Sequence, residues 1–168
     1  MPTLPVDGLL FDFPDAWQAS KYDEWSFYRH QFVKQDDGIK GVDALALSDA
    51  NEAFLIEVKD YRHPETEKPS ELAQAVAGKV LDTLAAMLPA RVRANEPVEQ
   101  QMAAAILNCA SFKVVLHIEQ PPRHRPVVDP ADIRQKLRRL LRAVDPHLKV
   151  VVHEQHAGLG MDSEISPC

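Results

Sequence analysis

The chain has 168 residues, 45% of them apolar and 26% charged, with a net charge of −6. These values are ordinary for a globular domain and exclude a disordered chain or a pair of full-sized domains. There is no apolar run of about 18 residues to span a bilayer, and MPTLPVDGLLFDFPD lacks the basic region of a secretory signal, so a cytoplasmic location and no membrane partner are expected. Cys109 and Cys168 have no neighbour at metal-ligand spacing, which argues against a disulfide framework or a zinc ribbon. The charge is unevenly placed: residues 1–60 carry a net −7 and residues 121–149 a net +5. Surface fields are set by charges within about 8–10 Å, so this asymmetry matters more than the total.

In chain order, a short helix is expected near Asp15–Tyr22. The aromatic and β-branched run Trp25–Val33 reads as a strand. Gln35–Gly38 is a turn by composition. Two apolar runs, IKGVDALAL and EAFLIEVKDYR, flank Ser48–Asn51 and predict a β-hairpin. Ser70 caps an expected helix in which Leu72, Val76, Val80, Leu81, Leu84 and Leu88 recur at helical spacing, and Pro89 ends it. Val98–Cys109 predicts a second helix, FKVVLHIEQ a strand, ADIRQKLRRLLRAVD a third helix and LKVVVHE a final strand. The order predicts an α/β (α+β) fold with a central mixed β-sheet that contains a β-hairpin and is flanked by helices. One domain over residues 1–157 and an irregular tail at 158–168 are expected.

The chemistry is concentrated in the hairpin. Along EAFLIEVKDYR the period-2 rule puts Phe54, Ile56 and Val58 on one face and Leu55, Glu57 and Lys59 on the other. Charges on an apolar strand carry a desolvation cost unless they are paired or bind something. If the turn is centred on Ala50, Asp43 lies opposite Glu57, and a slip of one residue would set Asp43 against the apolar face. Two close carboxylates repel, and a hard cation with oxygen ligands, Mg²⁺ or Mn²⁺, would relieve them.

Asp43, the turn, Glu57-Val58-Lys59 and the helix after them resemble the core of the PD-(D/E)XK nuclease superfamily, the restriction-endonuclease-like fold. Thirteen residues separate Asp43 from Glu57, and Val42 stands in place of the proline in the family's name. The resemblance covers roughly residues 25–118. It implies a restriction-endonuclease-like core with Asp43 and Glu57 as metal ligands, Val58 lending its backbone carbonyl, and Lys59 orienting the attacking water. It also makes Gln74 a candidate on the following helix, and Asp23 or Glu24 a candidate for the acid on the first helix.

Downstream, Arg134, Arg138 and Arg142 recur at i, i+4 and i+8, with Lys136 and Arg139 beside them and Arg123 and Arg125 in the preceding loop. Guanidinium groups suit bidentate phosphate contacts, so these residues are candidates for binding nucleic acid, DNA before RNA. On the same helix Ile133, Leu137, Leu140, Leu141 and Val144 are expected to face inward. His117 reads as structural, and the His153/His156 pair has no evident further ligand. The leading expectation is a metal-dependent nuclease acting on DNA or RNA. The alternative is a non-catalytic module of the same fold that binds a protein or nucleic-acid partner, with a homodimer left open.

Overall fold

A computed structural model describes residues 1–63, 71–121, 127–156 and 163–164. The chain opens with a hairpin of β1 (Thr3–Val6) and β2 (Leu9–Asp12). Its two-residue turn has positive φ at both Asp7 (49°) and Gly8 (80°), the conformation for which Asp-Gly is preferred. The five-stranded sheet has the order β3-β4-β5-β6-β7, built from Gln18–Lys21, Ala44–Leu47, Glu52–Asp60, Ser111–Gln120 and Lys149–His156. β3, β4 and β5 run antiparallel, whereas β5, β6 and β7 are parallel. A two-residue strand β8 (Ser163–Glu164) joins β2. The mixed sheet with a hairpin and flanking helices agrees with expectation.

The helices are α1 (Ser26–His30), α2 (Leu72–Arg93), α3 (Pro97–Leu107) and α4 (Pro130–Leu140). Residues of α2, α3 and α4 pack with Ala53, Leu55, Val114, Leu116, Ile118, Val150 and Val152 into one core. On the opposite face Phe54, Ile56, Val58 and Val115 pack with Val6, Phe11, Phe13 and Trp17 of the N-terminal segment. The central strands are therefore covered on both sides, which is why they read as near-continuous apolar runs.

Several expectations are corrected. Trp25–Val33 is not a strand but a run of helical turns, α1 followed by a 3-10 turn at Phe32–Gln35. Its aromatic rings pack locally, Trp25 edge-on and Tyr28 tilted against Tyr22, and the first backbone N–H groups of α1 are bound by the Glu99 carboxylate. Where a helix is expected near Asp15–Tyr22, strand β3 pairs with β4. Pro89 does not stop α2, which continues to Arg93. Leu81 and Leu88 do not face the core, nor do Leu140 and Val144. Ser70, the expected cap, and most of the expected tail lie outside the described residues.

Candidate functional site

The hairpin pairs Ala44 with Ile56, Leu45 with Leu55, Ala46 with Phe54 and Leu47 with Ala53. This is the register expected from the apolar pattern, and it brings Asp43 beside Glu57. Three contacts hold the segment before β4. The Lys40 N–H donates to Asp82, the Gly41 N–H to the Tyr28 hydroxyl and the Val42 N–H to Thr83 Oγ1. A Cβ on residue 41 would come within 2.4 Å of the Tyr22 ring, so only glycine allows this close approach. The Asp43 backbone continues the pairing through its N–H to the Ile56 carbonyl at 3.0 Å.

The side chains then form one cluster. Glu57, 1% exposed, receives two ammonium groups on Oε1, Lys59 at 2.7 Å and Lys79 at 2.6 Å. Lys79 Nζ is also 3.8 Å from Asp43 Oδ1, and the Val58 N–H donates to Asp43 Oδ2 at 2.7 Å. Burial, with Glu57 next in effect, pushes the Asp43 carboxyl up to about 7, against the pull of Lys79, the Val58 N–H and Lys59. Burial by itself would lower the Lys59 ammonium, but Glu57 and Asp43 outweigh it and hold its pKa above the usual value.

Asp43, Glu57, Val58 and Lys59 therefore meet as the sequence suggests, although the observed contribution of Val58 is its N–H. Lys79 is not among the residues the sequence singles out. Its role depends on how α2 crosses the sheet, which no sequence period reports. As a seat for Mg²⁺ or Mn²⁺ the cluster does not fit. The place between the two carboxylates is taken by the Lys79 ammonium, and two carboxylates face two ammonium groups. Among the described residues Glu57 Oε2 is buried without a hydrogen-bond partner, but an ion shared with Asp43 would also need Oδ1, which the Lys79 ammonium faces at 3.8 Å. Among the described residues no group of three or more His, Cys, Asp or Glu could hold a metal.

The other candidates lie apart from this cluster. Gln74 is exposed and lines a cavity of about 720 Å³ between the first turn of α2 and α4, with Asp132, Ile133, Lys136 and Arg139. Arg134 and Arg138 project from α4 and Arg142 from the turn after it, the last two exposed. α4 packs into the same core as α2, so this basic stripe and Glu57 share one face of the sheet. Asp129 caps α4 by accepting the Ala131 N–H, and the buried Gln120 side chain holds the lead-in through Val127 N–H and the Val128 carbonyl. Arg123 and Arg125 lie outside the described residues.

A second polar cluster occupies the opposite face. His117, 2% exposed, places Nε2 2.8 Å from Glu119 Oε1 and Nδ1 3.0 Å from His153 Nδ1. A carboxylate can only accept, so His117 donates through Nε2 and must accept at Nδ1 from His153. Burial lowers the His117 pKa despite Glu119. Arg62 pairs bidentately with Asp60 and lies 3.8 Å from Glu119 Oε2. Nothing in the sequence spacing joins the two histidines. Their contact follows from the parallel pairing of β6 with β7, which sets His117 beside His153.

No family model matches the chain, and no solved structure matches it. Cysteine–tRNA ligase of Neisseria meningitidis serogroup A is 32% identical over 151 residues. The match covers 72% of this chain and 22% of that ligase. It overturns the expectation of a nuclease. The relative is named for a ligation and not for hydrolysis of nucleic acid, so the hydrolase reading of Asp43, Glu57 and Lys59 is withdrawn. Among the described residues no helix is long and apolar enough to cross a membrane.

Proposed function

We propose that this chain is an RNA-binding module related to one part of a tRNA ligase, and that it engages tRNA through the basic face of α4. The observation that carries the reading is the 32% identity with a fraction of cysteine–tRNA ligase. RNA therefore takes the place of the DNA first expected. The helix supports it physically: Arg134, Arg138 and Arg142 form one stripe, flanked by Lys136 and Arg139, on a chain whose net charge is −6. Affinity for a polyanion must then come from local phosphate neutralisation. The Asp43–Glu57–Lys59–Lys79 cluster is read as a structural tie between hairpin and α2. The resemblance to the restriction-endonuclease-like core is kept as a proposal about architecture alone, to be tested by superposing an experimental structure on members of that superfamily.

Fluorescence anisotropy with labelled tRNA, and with duplex DNA of equal charge, tests the function. Binding to tRNA in preference to the duplex is expected, weakened by the triple substitution of Arg134, Arg138 and Arg142 to alanine. Each lost phosphate contact removes about 0.7–0.9 from the slope of log K against log salt, so the triple variant should flatten it by about two. No tRNA binding at low salt, or binding that the triple variant leaves unchanged, overturns the reading.

A further inference from the structure

The outward face of α2 carries a pattern that the fold does not use. Gln74, Gly78, Leu81, Ala85, Leu88 and Val92 follow one another at alternating spacings of four and three, the repeat of a helix that packs along a second helix. All six are at least partly exposed, with Leu81 at 45%, Leu88 at 61% and Val92 at 60%. The core stripe of the same helix, including Leu72, Val76, Val80, Thr83, Met87 and Ala90, is a separate set. Gly78 is the sharper observation. A Cβ built there meets nothing within 4 Å among the described residues, so no contact with them requires a glycine in mid-helix, where it is the poorest former after proline.

We propose that this seam is an isologous interface in which α2 packs antiparallel on α2 of a second copy of the chain. The seam is self-complementary about a two-fold axis level with Thr83. Positions whose numbers add to 166 then face each other: Gly78 with Leu88, Leu81 with Ala85, and Gln74 with Val92. Every large residue meets a smaller or more slender one, and the missing side chain at 78 is the notch for Leu88. The ends are complementary in charge as well. Arg91 of one copy lies opposite Ala75 of the other, one helical turn from Glu71, and both charged residues are exposed. A helix of 22 residues is about 33 Å long and about 10 Å wide. That footprint is about 330 Å² per copy, below the roughly 1,200 Å² total of stable interfaces, so a weak, reversible dimer populated toward the upper end of the micromolar range is the expected form.

Sedimentation equilibrium of the whole chain without RNA, at loading concentrations from about 1 to 100 µM, tests the proposal apart from the tRNA reading. The wild type should shift from monomer to dimer across this range. Leu88→Glu, at an exposed position, should weaken dimerisation at least about tenfold with an unchanged circular dichroism spectrum. Gly78→Leu adds a better helix former in open space, so it should stabilise the fold yet break the dimer. The double variant Gly78→Leu/Leu88→Ala moves the notch to the other side and should restore it. A wild type that stays monomeric throughout, or a dimer that neither single substitution weakens, overturns the proposal.

Discussion

Asp43 shows how a single carboxyl couples the hairpin to pH. Its pKa is raised to about 7 by burial and by Glu57, so the folded state holds a proton that the unfolded chain releases near pH 4. Its stabilising contribution is full below the unfolded value and is lost as pH rises through about 7. Asp43→Asn should therefore raise the melting temperature at pH 8 and change it little at pH 4. Differential scanning calorimetry at the two values checks this, and an equal effect at both would refute the assignment. His117 acts in the opposite sense: with its pKa lowered, it withdraws stability as pH falls below about 6.5. The lysine closure of Glu57 has its own test. An ion bound at 100 times its dissociation constant adds about 2.7 kcal/mol, or about 5–10 °C for a chain of this size. Millimolar Mn²⁺ should leave the melting temperature unshifted, and a rise that Asp43→Ala abolishes would show that Lys79 yields its place to a cation. The register that brings Asp43 to Glu57 was legible because a one-residue slip would reverse every side chain of β5. Lys79 was not, since its reach depends on where a distant helix crosses.

At the scale of elements, α1 depends on a residue far along the chain. Its five residues are too few for an isolated helix to persist. Its first turn is held by Glu99 of α3, whose Oε1 accepts the Ser26 N–H at 2.6 Å and whose Oε2 accepts the Phe27 N–H at 3.0 Å. Glu99→Ala strands two N–H groups at a largely buried site and should cost about 2–3 kcal/mol, read from urea unfolding. Glu99→Gln, which keeps one acceptor oxygen, should lose less. An alanine variant as stable as the wild type would remove α3 from the account of α1. The same long-range contact explains why Trp25–Val33 is helical against its local pattern: aromatic content favours a strand, and the tertiary cap overrides it. The turn Asp7-Gly8 is the opposite case. Its hairpin signal stands in the sequence and only its flanking strands, short and mixed in polarity, obscured it. For α2, the apolar spacing was legible but its two faces were not, because core and seam both carry leucines.

For the whole molecule, the two faces of the five-stranded sheet are built differently. One is covered by three helices that close over Glu57, and the other by a small N-terminal sheet that closes over His117. The near-continuous apolar runs of β5 and β6 suit strands covered on both faces but do not say by what, since the N-terminal strands are only four residues each. The basic stripe of α4 stands on the helical face, within a protein of net negative charge. Screening weakens local attraction and general repulsion together, but a stripe that touches phosphate also gains from counterion release at low salt. The proposed tRNA complex should accordingly tighten steeply as salt is lowered, and binding insensitive to salt would exclude α4 as its seat.

The string from Glu119 through His117 to His153 has a sense of direction. Because the carboxylate end can only accept, each imidazole is fixed in one tautomer, and His153, on the exposed edge strand, is left with Nε2 as the open lone pair. Turning the His117 ring over would break both of its bonds at once, and turning the His153 ring would break the bond between the two rings. The orientation of the surface ring of His153 is thereby set by the buried carboxylate of Glu119, one strand inward.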